Sequence, residues 1–208
     1  MLAETPFRLA LLAIFVPTVV IAFYHRLRAA SSGERVSRKE EGYLFAAALR
    51  VAGLCVFIAT GTYLANSQWV QRAPLPLPNW IRWMGAVVGG LAVVLAYWTL
   101  TNLGKNLTDT VYVRKAATLV THGPYRWVRH PFYVMVGLLL LSVTLLTANW
   151  LIGASGLVVM TLLVIRTAKE EQMLIDRFGN AYRDYMATTG RFFPRHASRI
   201  GPQNLTRN

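Results

Sequence analysis

The sequence predicts an all-α, polytopic integral membrane protein, and three observations carry that reading. Of 208 residues, 54% are hydrophobic and only 15% charged, with a mean hydropathy of +0.38, whereas a soluble globular domain usually carries about 25% charged residues. Five apolar windows approach or reach the roughly 17–25 residues that a helix needs to cross a hydrocarbon core about 30 Å thick. Most of the basic residues behind the formal charge of +13 lie outside those windows. They do not form a patch on a polar domain, which excludes a soluble nucleic-acid binder.

The windows are Phe7–Tyr24, Leu44–Leu64, Ile81–Leu100, Phe132–Ala148 and Trp150–Ile165. The first lacks a basic start and a small-residue cleavage pattern, and the basic stretch His25-Arg26-Leu27-Arg28 follows it. It therefore reads as a retained helix rather than a signal peptide, with a kink expected at Pro17. Gly53 and Gly61 in the second window, and Gly85, Gly89 and Gly90 in the third, are expected to let helices approach closely. Little more than Asn149 separates the last two windows, so they form a helical hairpin.

Orientation follows from the basic residues. Of the 22 Lys and Arg, 18 fall in His25–Tyr43, in Thr101–Pro131 or in the tail from Arg166. The positive-inside rule then places the N-terminus outside, and both long loops, the C-terminus and any site built from them in the cytoplasm. Arg50 lies two turns into the second window, where a charge is costly. Two readings stay open for it: snorkelling or an ion pair, and substrate contact. The single cysteine, Cys55, excludes an intramolecular disulfide. No two histidines have metal-ligand spacing, so no metal is expected.

Polar chemistry concentrates in Thr101–Pro131 and in the stretch from Arg166. Gly123-Pro124 reads as a turn, and Pro131 suits the first turn of the fourth helix while biasing His130 toward an extended conformation. Arg166 and Glu170, four residues apart, share a helix face. In a hairpin, the start of its first helix and the end of its second meet, so His130, Tyr133, Arg166 and Glu170 are expected to converge on one pocket. That pocket would offer a cation, an anion and the aromatic walls of Tyr125, Trp127 and Tyr133, suiting a zwitterionic, partly aromatic cofactor and an amphiphilic substrate arriving through the bilayer. The competing reading is ordinary: Arg-His anchoring to lipid phosphates, and a surface ion pair worth a few tenths of a kcal/mol. Leu174, Phe178, Tyr182 and Tyr185 fall at helical spacing and are expected to form one face of a cytoplasmic helix folded over the pocket. His25 and His196 are expected to be solvated, and 195–208 reads as a mobile basic tail.

Two runs of residues then carry a resemblance. Leu119-Val120-Thr121-x-Gly123-Pro124-Tyr125-x-x-Val128-Arg129-His130-Pro131-x-Tyr133 is the first. Arg166-x-x-x-Glu170-Glu171-x-x-Leu174-x-x-x-Phe178-Gly179-x-x-Tyr182-x-x-Tyr185, with Arg191-Phe192-x-Pro194, is the second. Together they resemble the isoprenylcysteine carboxyl methyltransferase family, with related phospholipid N-methyltransferases sharing the general pattern. The similarity covers roughly Leu100 to Pro194. It divides the chain into an N-terminal three-helix region (1–100), a methyltransferase core (101–194) and the tail (195–208).

The resemblance implies S-adenosylmethionine as cofactor, in keeping with the lack of any G-x-G-x-x-G after a strand. It implies cofactor contacts at Ala117, Thr118, Leu119, Val120, Tyr125, His130, Pro131, Phe132, Tyr133 and Glu170, the last at the cofactor's ammonium end. Arg166 would face the substrate. Where the family often has His, this chain has Ala117, so only a main-chain contact survives there. The acceptor is expected to be a lipophilic or amphiphilic molecule or lipid, an isoprenylcysteine-like carboxylate being the family's namesake. A carboxylate needs no base, whereas an amine or thiol would need His130 or Glu171 as one. Two other classes remain: a membrane NADPH-dependent sterol-type reductase, and a non-catalytic protein whose basic loops bind anionic lipid.

Overall fold

Every described segment of regular structure is helical. The computed structural model describes residues 4–30, 43–65, 73–104 and 118–195, so Ala117 and all of the expected tail beyond Arg195 lie outside the described residues. The helices are α1 (Thr5–Ala30), α2 (Tyr43–Leu64), α3 (Asn79–Leu103), α4 (Pro131–Thr147), α5 (Trp150–Phe178) and α6 (Asn180–Thr188), with a single 3₁₀ turn at Gly123–Arg126 before α4. Four of them, α1, α2, α3 and α5, are long and apolar enough to cross a membrane. At 17 residues α4 is shorter. The chain is thus a multi-pass membrane protein, and large apolar side chains such as Leu44, Trp80, Val94 and Leu157 face outward, as a surface bathed in lipid requires. Cys55 is also exposed, on α2.

Local chemistry sets the helix limits. α1 continues through Pro17. Ala148 adopts a left-handed conformation (φ 45°) and Asn149 caps α5, its carboxamide oxygen accepting from the amides of Leu151 at 3.0 Å and Ile152 at 3.1 Å. Those two residues make the tight α4–α5 turn anticipated at Asn149, because capping satisfies amides that would otherwise lie bare near lipid. α5 extends well past Ile165, carrying Arg166 and Glu170 beyond the apolar stretch.

Small residues decide which helices touch most closely. α3 packs most extensively on α4, with α1 against α3 and α2 against α5. A Cβ added at Gly85 would lie 2.9 Å from Leu145 Cβ and 3.1 Å from the Leu146 amide nitrogen, and the Gly85 carbonyl accepts from Ser142 Oγ at 2.7 Å. Gly89 is equally confined, by Ile14 of α1 and Ser142. Gly53, Gly61 and Gly90 have nothing within 4 Å of an added Cβ, so the expectation of close approach fails at those three. Gly153 and Gly156, facing Thr144 and Leu140, tighten the α4–α5 hairpin instead.

A charged knot closes the end of the bundle where α1 and α3 begin. Arg82 is buried and grips Glu4 with both terminal nitrogens (2.9 and 2.6 Å), donates to the Leu146 carbonyl, and lies 3.6 Å over the Phe7 ring. Tyr63 at the end of α2 donates to the same carboxylate at 2.8 Å. One ion pair thereby joins α1, α2, α3 and α4. His25 at the far end of α1 is also buried, 3.5 Å from Thr101 Oγ1 and edge-on to Tyr24, rather than solvated.

Replacing Gly85 by Val should lower the thermal stability of the detergent-purified protein by about 1–3 kcal/mol, the usual cost of overpacking, while Gly90→Val should leave the melting temperature within a degree or two.

Candidate functional site

The opposite end of the bundle gathers the polar residues. Gly123, with φ +61°, starts the 3₁₀ turn, and a Cβ there would lie 2.5 Å from the Asn102 carboxamide at the end of α3. Glycine is thus required on two counts, conformation and space. The turn buries Pro124 and Tyr125 and leads into Trp127, whose ring meets Trp98 of α3 edge to face at 5.2 Å. Pro131 then opens α4 as expected, whereas His130 just before it has φ −121° and ψ 59°, outside the extended region that the proline was expected to favour.

Gly179 (φ 59°) separates α5 from α6. The expected single cytoplasmic helix is therefore two: Leu174 and Phe178 end α5, while Tyr182 and Tyr185 lie on α6. After α6 the chain returns as a strap, residues 189–195, alongside the segment preceding α4. Val128 and Gly190 form a parallel bridge, the Arg129 amide donates to the Gly190 carbonyl at 2.8 Å, and the His130 amide donates to the Arg191 carbonyl at 3.1 Å. Tyr185 Oη donates to the Tyr125 carbonyl at 2.5 Å. Burial pushes the Tyr185 phenol up to about 12, so it stays protonated and remains a donor throughout the physiological range.

Glu171, only 3% exposed, is the centre of this arrangement. Its Oε1 accepts from Arg129 Nε at 3.0 Å, lies 3.1 Å from His130 Nε2 and accepts from Arg191 Nε at 3.2 Å, while Oε2 accepts from Arg191 Nη2. Arg129 also donates to the carbonyls of Met186 and Thr189, capping the end of α6. The His130 ring stacks on Tyr133 at 5.3 Å, tilted by 7°, and meets Phe192 of the strap at 5.9 Å. Tyr133 Oη in turn donates to Glu170 Oε2 at 2.5 Å.

The structure therefore brings His130, Pro131, Phe132, Tyr133 and Glu170 together, with Phe132 against Tyr133 at 6.1 Å. Tyr125 belongs to the same group: its phenol is pushed up by burial and then by the Glu170 carboxylate. Arg166 is half-buried one turn before Glu170 on α5. Thr118 is exposed, and Leu119 and Val120 are half-buried on the approach to the turn. Arg50 is exposed on α2, although its neighbours Leu49 and Ala52 pack against the cluster of Tyr133, Val159 and Leu163.

Sequence reasoning missed the importance of Glu171, Arg129 and Arg191. Glu171 had been a candidate base, but the basic side chains on its two oxygens stabilise the carboxylate against taking up a proton. Its partners lie 42, 41 and 20 residues away in sequence, beyond any local periodicity. Among the described residues, no group of three or more His, Cys, Asp or Glu is placed to hold a metal ion.

Comparison with known proteins adds an independent line. Residues 84–176 match the model of the isoprenylcysteine carboxyl methyltransferase family. Over 143 residues the chain is 33% identical to the protein-S-isoprenylcysteine O-methyltransferase of Tribolium castaneum, a match covering 64% of this chain and 51% of that protein. It is 30% identical over 148 residues to the nickel-cobalt-cadmium resistance protein NccN of Alcaligenes xylosoxydans xylosoxydans, covering 70% and 62%. The chain thus spans between half and two thirds of the length of these relatives. A solved eukaryotic intramembrane Ras methyltransferase, isoprenylcysteine carboxyl methyltransferase, has the same fold with a TM-score of 0.53 and 25% identity, over 89% of this chain and 67% of that one.

Removing the central carboxylate by Glu171→Ala should destabilise the protein by about 3–5 kcal/mol, because it strands the largely buried guanidinium of Arg129. Hydrogen exchange should then accelerate at the Arg129 and His130 amides, where the strap is held, before it accelerates in α3.

Proposed function

Through residues 84–176 the chain belongs to the isoprenylcysteine carboxyl methyltransferase family, and from that premise we propose an integral membrane S-adenosylmethionine-dependent methyltransferase acting on a lipophilic carboxylate of the isoprenylcysteine kind. The observation that carries the reading is the joining of Tyr133, Glu170 and His130 at one end of a lipid-facing bundle. In this reading that end is cytoplasmic and the end bearing the Glu4–Arg82 pair faces outward.

The donor set fits the cofactor. Glu170 offers a carboxylate to an ammonium, and the aromatic faces of Tyr133, His130 and Phe132 suit a cationic sulfur. Tyr125 closes the side nearest Glu170, while Ala117, Thr118, Leu119 and Val120 contribute main-chain contacts and Pro131 fixes the start of α4. When bound, S-adenosylmethionine supplies an electrophilic methyl group. Arg166, one turn from Glu170, holds the acceptor carboxylate by a charge-assisted and, ideally, bidentate contact, and Arg50 on α2 steers the same group as it arrives along the bilayer. Alpha6 and the strap keep water from the reacting pair.

The site also favours oxygen as the methylated atom. Glu171 is filled by Arg129, Arg191 and His130, and Glu170 accepts from Tyr133. A pocket whose two carboxylates are both engaged is poor at deprotonating an amine or a thiol, whereas a carboxylate is already ionised at neutral pH.

Calorimetric titration of the detergent-purified protein with S-adenosylhomocysteine should give micromolar binding that Glu170→Ala and His130→Ala abolish; a well-folded protein that does not bind would overturn the proposal. With labelled S-adenosylmethionine, methyl should pass to a small isoprenylcysteine but not to its carboxamide. Arg166→Ala should raise KM for that acceptor roughly 10-fold or more, the loss expected for one charge-assisted hydrogen bond, while leaving S-adenosylhomocysteine affinity within twofold.

A further inference from the structure

Two tyrosines on α6 are treated very differently by the fold. Tyr185 has its hydroxyl engaged by the Tyr125 carbonyl at 2.5 Å. Tyr182 is 1% exposed, the largest fully buried side chain among the described residues, and its hydroxyl has no hydrogen-bond partner among them. Its ring meets that of Tyr185 at 5.8 Å. An unpaired buried hydroxyl costs stability, and phenylalanine would fill the same space without that cost. Such a group in a native protein calls for a specific explanation.

The surroundings of Tyr182 indicate one. Its phenol is pushed well above the ordinary tyrosine range, first by burial and then by the carboxylate of Glu171, with Arg129 opposing and Glu170 adding to the effect. The hydroxyl therefore borders the same charged cluster that holds His130 and Glu170, and it stays a neutral phenol able to donate. We propose that Tyr182 Oη is a cofactor-binding group, which donates a hydrogen bond to the α-carboxylate at the methionine end of S-adenosylmethionine. This inference rests on the methyltransferase reading. Glu170 takes the ammonium, the carboxylate is attached to the same α-carbon, and Tyr182 supplies the donor that a carboxylate requires. Residues 84–176, which carry the family match, end before Tyr182.

The test is Tyr182→Phe, read by two measurements that move in different directions. Thermal unfolding of the ligand-free variant should occur at the wild-type temperature or slightly above, because only an unpaired hydroxyl is lost. Its affinity for S-adenosylhomocysteine should fall about 10-fold, while that for 5′-methylthioadenosine, which lacks the amino-acid end, should not change. Tyr185→Phe provides the contrast: it removes a satisfied hydrogen bond and should lower the unfolding temperature. Wild-type affinity of Tyr182→Phe for S-adenosylhomocysteine would overturn the proposal, as would an equal loss for both ligands or a marked drop in ligand-free stability. Absence of binding by the wild-type protein would instead sink the methyltransferase reading, and this inference with it.

Discussion

The buried carboxylate of Glu171 is the constraint on which this end of the molecule depends. A carboxylate with 3% exposure is tolerable only if its charge is balanced and its lone pairs are filled. Arg129 and Arg191 balance the charge and, together with His130, occupy its oxygens, and each comes from a segment that could otherwise wander: the approach to α4 and the strap after α6. Satisfying one acid on α5 therefore fixes two pieces of backbone. The stack of His130 on Tyr133, and through it the Tyr133–Glu170 contact, inherits that order.

Glu170 and Glu171 divide the labour because successive residues of a helix point about 100° apart. Glu171 faces inward, toward cations supplied by the protein. Glu170, half-buried, is turned toward Tyr133 and Tyr125. The same polypeptide turn thus presents one acid committed to architecture and one suited to a ligand. A similar economy appears at the other end, where Glu4 neutralises Arg82 and binds four helices together.

Much of this was readable in the sequence, for identifiable reasons. Apolar length alone located five helices, since the hydrocarbon core is a strong and uniform selector. The near-absence of residues between Ala148 and Trp150 announced the hairpin, because so short a connection permits only a tight turn, and the hairpin in turn implied that His130, Tyr133 and Glu170 would meet. What escaped notice depended on distant partners. Nothing local distinguishes Gly85, wedged against α4, from Gly90, which faces open space. Nor does spacing reveal that Gly179 would interrupt the helical run from Leu174 to Tyr185, or that Arg82 would find Glu4 across 78 residues.

The length of α5 acts as a ruler. Its 29 residues at about 1.5 Å each extend roughly 43 Å, well beyond a hydrocarbon core of about 30 Å. Counted from the capped end beside Asn149, Glu170 stands some 20 residues along, or about 30 Å, the thickness of a hydrocarbon core, so with the cap at one boundary Glu170 would reach the other, where acyl chains give way to headgroups. An amphiphile in that leaflet could present its polar end at this level while its tail remained dissolved. The energetic barrier to reaction would then exclude most of the cost of lifting a greasy chain into water, about 0.8 kcal/mol for every methylene left behind in the bilayer.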